Sequence, residues 1–219
     1  KEYNLFLISD EIYNQITYNG ARAYALSEVI DDVPGIAMKG ISKELPWPGA
    51  RCGWIECYNR GKDVEFNRLC KTLDDAKMIE VCSTTLPQLA IPKILGDERY
   101  ESYRTNLNEK IGGRSRFISE MLQEIPELTF NPTYGAFYNT IVFKKGNLRN
   151  DQILEIGNTE VKNLVEQWVK DVSLDTRFVY YLLGATGICV VPISSFCSDL
   201  YGFRITLLEE DEELLKNTF

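Results

Sequence analysis

The chain has no histidine among its 219 residues. That absence removes imidazole-ligated zinc sites and every histidine-based nucleophilic triad. Its six cysteines (Cys52, Cys57, Cys70, Cys82, Cys189, Cys197) include no Cys-x-x-Cys pair and no metal-like spacing. They read as scattered, reduced thiols of a cytoplasmic protein. No apolar run approaches the ~18 residues expected of a membrane span, and no signal peptide is recognisable. Positive charge is also scarce: 24 Lys and Arg face 32 Asp and Glu, a net charge of −8. Such a balance argues against nucleic acid or anionic membranes as partners. The acidic run Glu209–Glu213 reads as the solvated start of a helix, where carboxylates are favourable. Repeats and low-complexity segments are missing as well.

What is present suits one large domain or a domain and a half: 44% of the residues are hydrophobic and 11% aromatic, enough for a well-buried core. Residues 3–8 read as a buried strand, a short apolar run closed by Ser9-Asp10-Glu11. Residues 35–41 and 51–58 give two more strands, joined by the proline-rich loop 44–50. Asp63–Ile79 carries Val64, Leu69, Leu73 and Ala76 at helical spacing, and Leu86–Leu95 gives a further helix despite Pro87 and Pro92.

Asp97–Gln123 repeats Tyr100, Tyr103, Leu107, Ile111, Ile118 and Met121 at intervals of three and four, a helix about 40 Å long. Gly112-Gly113 in its middle marks either a close packing point or a kink. Helices of this length often bridge domains, so residues 1–100 are expected to form one domain and 101–219 the helix plus a small α+β domain. In the latter, Phe137–Phe143 reads as a strand, Val161–Val169 as a helix capped by Asn158, and Phe178–Leu183 as a short helix. Gly187–Val191 and Tyr201–Leu208 read as strands, and Glu210–Asn217 as a last helix.

Some polar residues stand where chemistry is done. Asp10 follows an apolar strand, the place where open α/β sheets put their ligands. It could pair with a protonated pyridine nitrogen, or simply cap the next turn. Tyr13 could donate to a ring oxygen, or be a packed tyrosine. Lys43 follows another strand; a lysine held as the free amine condenses with aldehydes, whereas a lone Ser42-Lys43 is equally a surface turn. Arg51 offers a planar cation suited to phosphate. Arg204 lies on the face of its strand opposite Phe203 and Ile205, and needs either a ligand carboxylate or an internal ion pair.

Together these segments resemble the C-terminal half to two-thirds of a class I/II aminotransferase, a fold-type I enzyme dependent on pyridoxal 5'-phosphate. The pieces run in family order: Ser9-Asp10-Glu11-Ile12-Tyr13; Ser42-Lys43 through Gly49-Ala50-Arg51-Cys52-Gly53; Pro132–Tyr138; Gly187–Pro192 with Phe196; and Phe203-Arg204-Ile205. The resemblance implies an α/β fold: part of the large three-layer α/β/α domain, followed by the small α+β domain. It assigns Asp10 to the pyridine nitrogen, Tyr13 to the ring hydroxyl, Lys43 to the aldehyde, Arg51 to the phosphate and Arg204 to the substrate α-carboxylate. Lys43 would also carry the proton between substrate and cofactor.

Two departures accompany the resemblance. Gly40 stands where the family often has a phosphate-binding serine, which leaves Ser42 as the weaker candidate for that contact. Leu148–Asp175 is long for its place and reads as an added helix. The family's glycine-rich phosphate turn, ring-stacking aromatic and ring-binding asparagine have no counterpart here. The chain therefore reads as a fragment of a protein about twice as long, expected to be a homodimer, whose substrates are an α-amino acid and a 2-oxo acid. Two other functions remain open: a fold-type I lyase or decarboxylase using the same lysine, and a noncatalytic interaction module that keeps the fold.

Overall fold

Parallel pairing of Leu7–Asp10 (β1) with Gly35–Gly40 (β2) organises the first half of the chain. The computed structural model describes Tyr3 and residues 5–218. Between these strands lies the short helix Leu26–Val29 (α1), and Gly53–Tyr58 (β3) returns antiparallel to β2. The helices Val64–Met78 (α2), Thr85–Leu95 (α3) and Tyr100–Gln123 (α4) follow. Next come Leu128–Phe130 (β4), Tyr138–Phe143 (β5), Thr159–Trp168 (α5) and Leu174–Thr186 (α6). Val191–Pro192 (β6), Gly202–Thr206 (β7) and Glu212–Thr218 (α7) complete the order.

The chain separates into two compact units, Lys1–Glu109 with Tyr134–Ala136, and Lys110–Thr133 with Phe137–Phe219. In the first, the two-residue period of β2 sends Ile36 and Ala37 to opposite faces of the sheet. Ile36 packs with Phe66 and Cys70 of α2, whereas Ala37 packs with Leu26 and Ile30 at α1. Helix, sheet and helix thus form three layers. Asp63 starts α2 by accepting the Phe66 N–H at 2.7 Å. The buried side of α2 is Phe66 and Cys70 with Leu69 and Leu73 beside them, while Val64 is exposed.

One expectation fails here. The apolar run ahead of Asp10 is not buried: Leu5, Phe6, Leu7 and Ile8 are 44–65% exposed. Its strand starts only at Leu7, and Asn4 lies outside the described residues. The reason is topological. In the order β1-β2-β3, β1 is an edge, and its apolar side chains have no covering layer among the described residues.

The second unit is built on an antiparallel sheet of order β4-β5-β7-β6. Ile111, Ile118 and Leu122 of α4 are buried, and α4 runs unbroken through Gly112, which is buried too. At about 36 Å it is slightly shorter than its sequence suggested. Asn158 caps α5 by accepting from the N–H groups of Glu160 and Val161 at 2.9 and 3.2 Å. That helix and α6 enclose Ile156, Val165, Val169 and Tyr181. The proposed strand over Gly187–Val191 shrinks to β6. Gly187 takes φ +79° as the left-handed cap of α6, its N–H bonding Leu183 O, and this turn uses up the residues the strand would have needed.

Candidate active site

Because β1 and β2 are parallel and in register, with Asp10 opposite Met38, their carboxyl ends open onto the same edge of the sheet. Asp10 is the last residue of β1, and Ser42 and Lys43 follow β2 by two and three residues. What holds the lysine segment is packing on both sides of it. Ile41 and Leu45 are buried in one cluster with Ala50 and Ile91, leaving Ser42 and Lys43 half-buried between two anchors. Lys43 Nζ lies 5.8 Å from the centroid of the Tyr13 ring, within reach of a cation–π contact.

The neighbouring acids separate by burial. Glu11 is 6% exposed, accepts the Leu26 N–H at 2.5 Å and pairs with Lys39 at 3.6 Å. Lys39 is also paired with Glu56 at 3.0 Å. Burial pulls the Lys39 pKa down, but hydrogen bonding and charge from Glu56, with Glu11 behind it, leave it raised. Glu11 is therefore bound into the framework, and nothing in the residue order distinguishes it from its acidic neighbour Asp10. Asp10 is exposed; its Oδ1 accepts the Ile12 N–H at 3.2 Å, so it does cap the turn. It makes no ion pair among the described residues, leaving the rest of its carboxylate available.

Next to Lys43, burial pushes the Glu44 carboxyl above its ordinary range, against the pull of Arg104 and Lys39. The Glu44 carbonyl accepts the Tyr103 hydroxyl at 3.3 Å. Arg51 sits in the left-handed region at φ +48°, directly after the turn Pro48–Ala50. Its Nη1 donates to Pro48 O at 3.1 Å, and it makes no ion pair among the described residues.

Gly40 has a steric cause. It faces Gly53 across the β2–β3 ladder. A Cβ on residue 40 would stand 3.0 Å from Ile12 Cδ1 and 3.3 Å from Cys52 O. A serine there would need both neighbours to yield.

Arg204 belongs to the second unit. On β7 it faces Thr140 of β5 and Val191 of β6. No internal carboxylate pairs with it among the described residues. Its guanidinium carbon instead lies 4.3 Å from the Tyr138 ring centroid and 4.2 Å from that of Phe196. Contact with two aromatic rings leaves the donors in the guanidinium plane to define its binding direction.

Sequence reasoning overlooked what supports this contact. Phe196 ends the turn Ile193–Phe196, and the turn is tied down by Asp175, which is fully buried. The Asp175 carboxylate accepts from Ser173 Oγ (2.6 Å), Thr176 N (2.9 Å), Ser194 Oγ (2.8 Å) and Ser194 N (2.9 Å). In the sequence, Asp175 looks like an ordinary acid in the first turn of a helix. Its link to Ser194, nineteen residues on, had no local signal.

A mixed sheet layered between helices, with a lysine and an aspartate at one sheet edge and a second α+β unit, is the fold-type I architecture. Solved structures agree. An alanine aminotransferase from Pyrococcus furiosus superimposes with TM-score 0.78 at 26% identity, covering 99% of this chain and 48% of that one. A tyrosine aminotransferase from Leishmania infantum, 15% identical, shares the fold at TM-score 0.79 over 99% of this chain and 47% of that one. The family model for aminotransferases of class I and II matches residues 1–217, and the chain belongs to that family. An uncharacterised aminotransferase of Methanocaldococcus jannaschii is 52% identical over 212 residues, 97% of this chain and 49% of that protein. A tyrosine aminotransferase of Caenorhabditis elegans is 34% identical over 140 residues, 63% of this chain and 29% of that protein. The chain thus spans about half the length, or less, of these relatives.

Proposed function

We propose that the chain carries the lysine-bearing half of a pyridoxal-phosphate-dependent aminotransferase that interconverts an α-amino acid and a 2-oxo acid. The observation that carries this reading is the position of Lys43: beyond the carboxyl end of β2, between buried Ile41 and Leu45, with its amine 5.8 Å from the Tyr13 ring. The donor set fits the cofactor group by group. Asp10, without a cationic partner among the described residues, would hold the protonated pyridine nitrogen, and Tyr13 the ring hydroxyl. Arg51, likewise without a carboxylate, would hold the phosphate with help from Ser42, and Lys43 would hold the aldehyde carbon. When bound, pyridoxal 5'-phosphate supplies an electron sink that stabilises negative charge at the substrate α-carbon.

The residues of this chain then have distinct tasks. Arg204, held against the rings of Tyr138 and Phe196, binds the substrate α-carboxylate through charge-assisted hydrogen bonds. The Nζ of Lys43 takes and returns the proton at the substrate α-carbon, as general base and general acid in turn. Turnover is proposed to require the half of the fold seen in the relatives and not matched by this chain.

The test is turnover in the intact enzyme. Amino acid is expected to give 2-oxo acid without free ammonia or carbon dioxide, and Lys43→Ala to lower the rate by at least about a hundredfold, the lower bound for a lost general base. Release of ammonia or carbon dioxide would point to a lyase or decarboxylase instead. The 219-residue chain alone is expected to show no steady transamination; sustained turnover by it would overturn the requirement for the other half.

A further inference from the structure

The long segment between β5 and α6, with residues of both elements, lines an open cavity of about 340 Å³ within the second unit. That volume lies in the range of small-molecule sites, which combine apolar walls with a few placed polar groups. Here the walls include Leu148, Leu174, Phe178 and Tyr181, and the charged groups on the lining are Arg177, Arg149 and one carboxylate, Glu127.

Arg177, like Arg51 and Arg204, forms no ion pair among the described residues, and it differs from them in a buried donor. Its guanidinium carbon lies 4.7 Å from the Tyr181 ring centroid, and Nη2 donates to Gln152 O at 3.3 Å. Its Nε is buried and reaches no acceptor. Arg177 itself is half-buried, but an unmade hydrogen bond at a buried polar atom is costly, and native structures rarely leave one without a purpose. The other arginine at the rim, Arg149, is already paired with Asp151 at 3.1 Å.

The wall beside Arg177 is built, not loose. The Gln152 side chain accepts the Arg149 N–H at 2.7 Å and donates to Asn147 O at 3.0 Å. Both ends of that amide are satisfied within the loop, so Gln152 holds the cavity's edge and meets Arg177 only through its backbone carbonyl. Leu154, 40% exposed, stands at the same wall.

We infer that this cavity binds a small carboxylate with an apolar body, its carboxylate on Arg177 and its body against Phe178, Leu174 and Leu148. The planar guanidinium, oriented by Tyr181, suits a carboxylate, and the apolar walls favour a hydrophobic acid over a small polar one. The site is separate from Arg204 and does not depend on the cofactor reading.

The test is calorimetric titration of the 219-residue chain with 3-phenylpropanoate and, as the uncharged control, 3-phenylpropanamide. The acid is expected to bind at least about tenfold more tightly than the amide, ~1.4 kcal/mol. Arg177→Gln should erase that preference, and Arg204→Gln should leave it intact. Leu154→Trp, at the exposed rim, should block both compounds without disturbing the core, and it serves if Arg177→Gln does not fold. Equal affinity for acid and amide, or no heat of binding, would overturn the inference. So would a preference lost with Arg204→Gln and kept with Arg177→Gln, or acid binding unaffected by Leu154→Trp.

Discussion

At the scale of single residues, burial sorts the polar side chains into those that hold the fold and those that keep groups without ionic partners. Glu11 and Asp175 are buried and fully engaged, whereas Asp10, Arg51 and Arg204 keep groups without ionic partners among the described residues. Asp175→Ala is expected to destabilise the chain by about 1–3 kcal/mol, because it strands half-buried donors at Ser173 and Ser194; denaturant unfolding measures this. Burial pushes the Asp175 carboxyl up, but its hydrogen bonds outweigh that and hold it below the ordinary carboxylate value. A depressed folded-state pKa contributes stability above the unfolded value of about 3.9 and loses it as pH falls through the folded value. Stability should therefore drop below about pH 4 in the wild type, and this part of the drop should be missing from Asp175→Asn. An unchanged acid limb in the variant would show that Asp175 contributes nothing through ionisation. Asp10, Lys43 and Arg51 could be singled out in the sequence because together they resemble the family's pattern, and their roles stand as proposed above. Asp175 could not, because its partner at Ser194 comes close only through tertiary folding.

At the scale of elements, the close approach of β2 and β3 shapes the phosphate end of the proposed site. Gly40→Ser should cost about 1–3 kcal/mol, since its Cβ would crowd Ile12 Cδ1 and Cys52 O. Combining it with Ile12→Ala should recover part of that loss beyond additivity, which a double-mutant cycle of unfolding free energies reads out. Strict additivity would mean that the contact with Ile12 does not explain the glycine. Helical elements were read well: α2, α3, α4 and α5 fall within a few residues of their expected ends, because periodicity and side-chain caps such as Asp63 and Asn158 are local signals. Strands were read less well. The short β4 gave too little pattern, and Gly187 spent its residues on a helix cap. The burial of β1 was misread because an apolar run does not reveal whether its strand lies at the centre or the edge of a sheet.

At the scale of the whole molecule, the exposed edge of β1 is the most conspicuous property of the chain. An uncovered apolar edge strand is a template for association, and Leu5, Phe6, Leu7 and Ile8 supply the surface. The 219-residue chain is expected to self-associate as concentration and salt rise, and Ile8→Lys, on a residue 60% exposed, to reduce this. Light scattering of the two proteins compares them; equal association would place the sticky surface elsewhere. The fold and family follow from the architecture and the match over residues 1–217, while the proposed chemistry rests on Lys43. Its most direct test is borohydride reduction of the intact enzyme with pyridoxal 5'-phosphate, followed by peptide mass spectrometry. The expected result is a single pyridoxyl group on Lys43, lost in Lys43→Ala together with turnover. A label on another lysine, or turnover that survives Lys43→Ala, would contradict it.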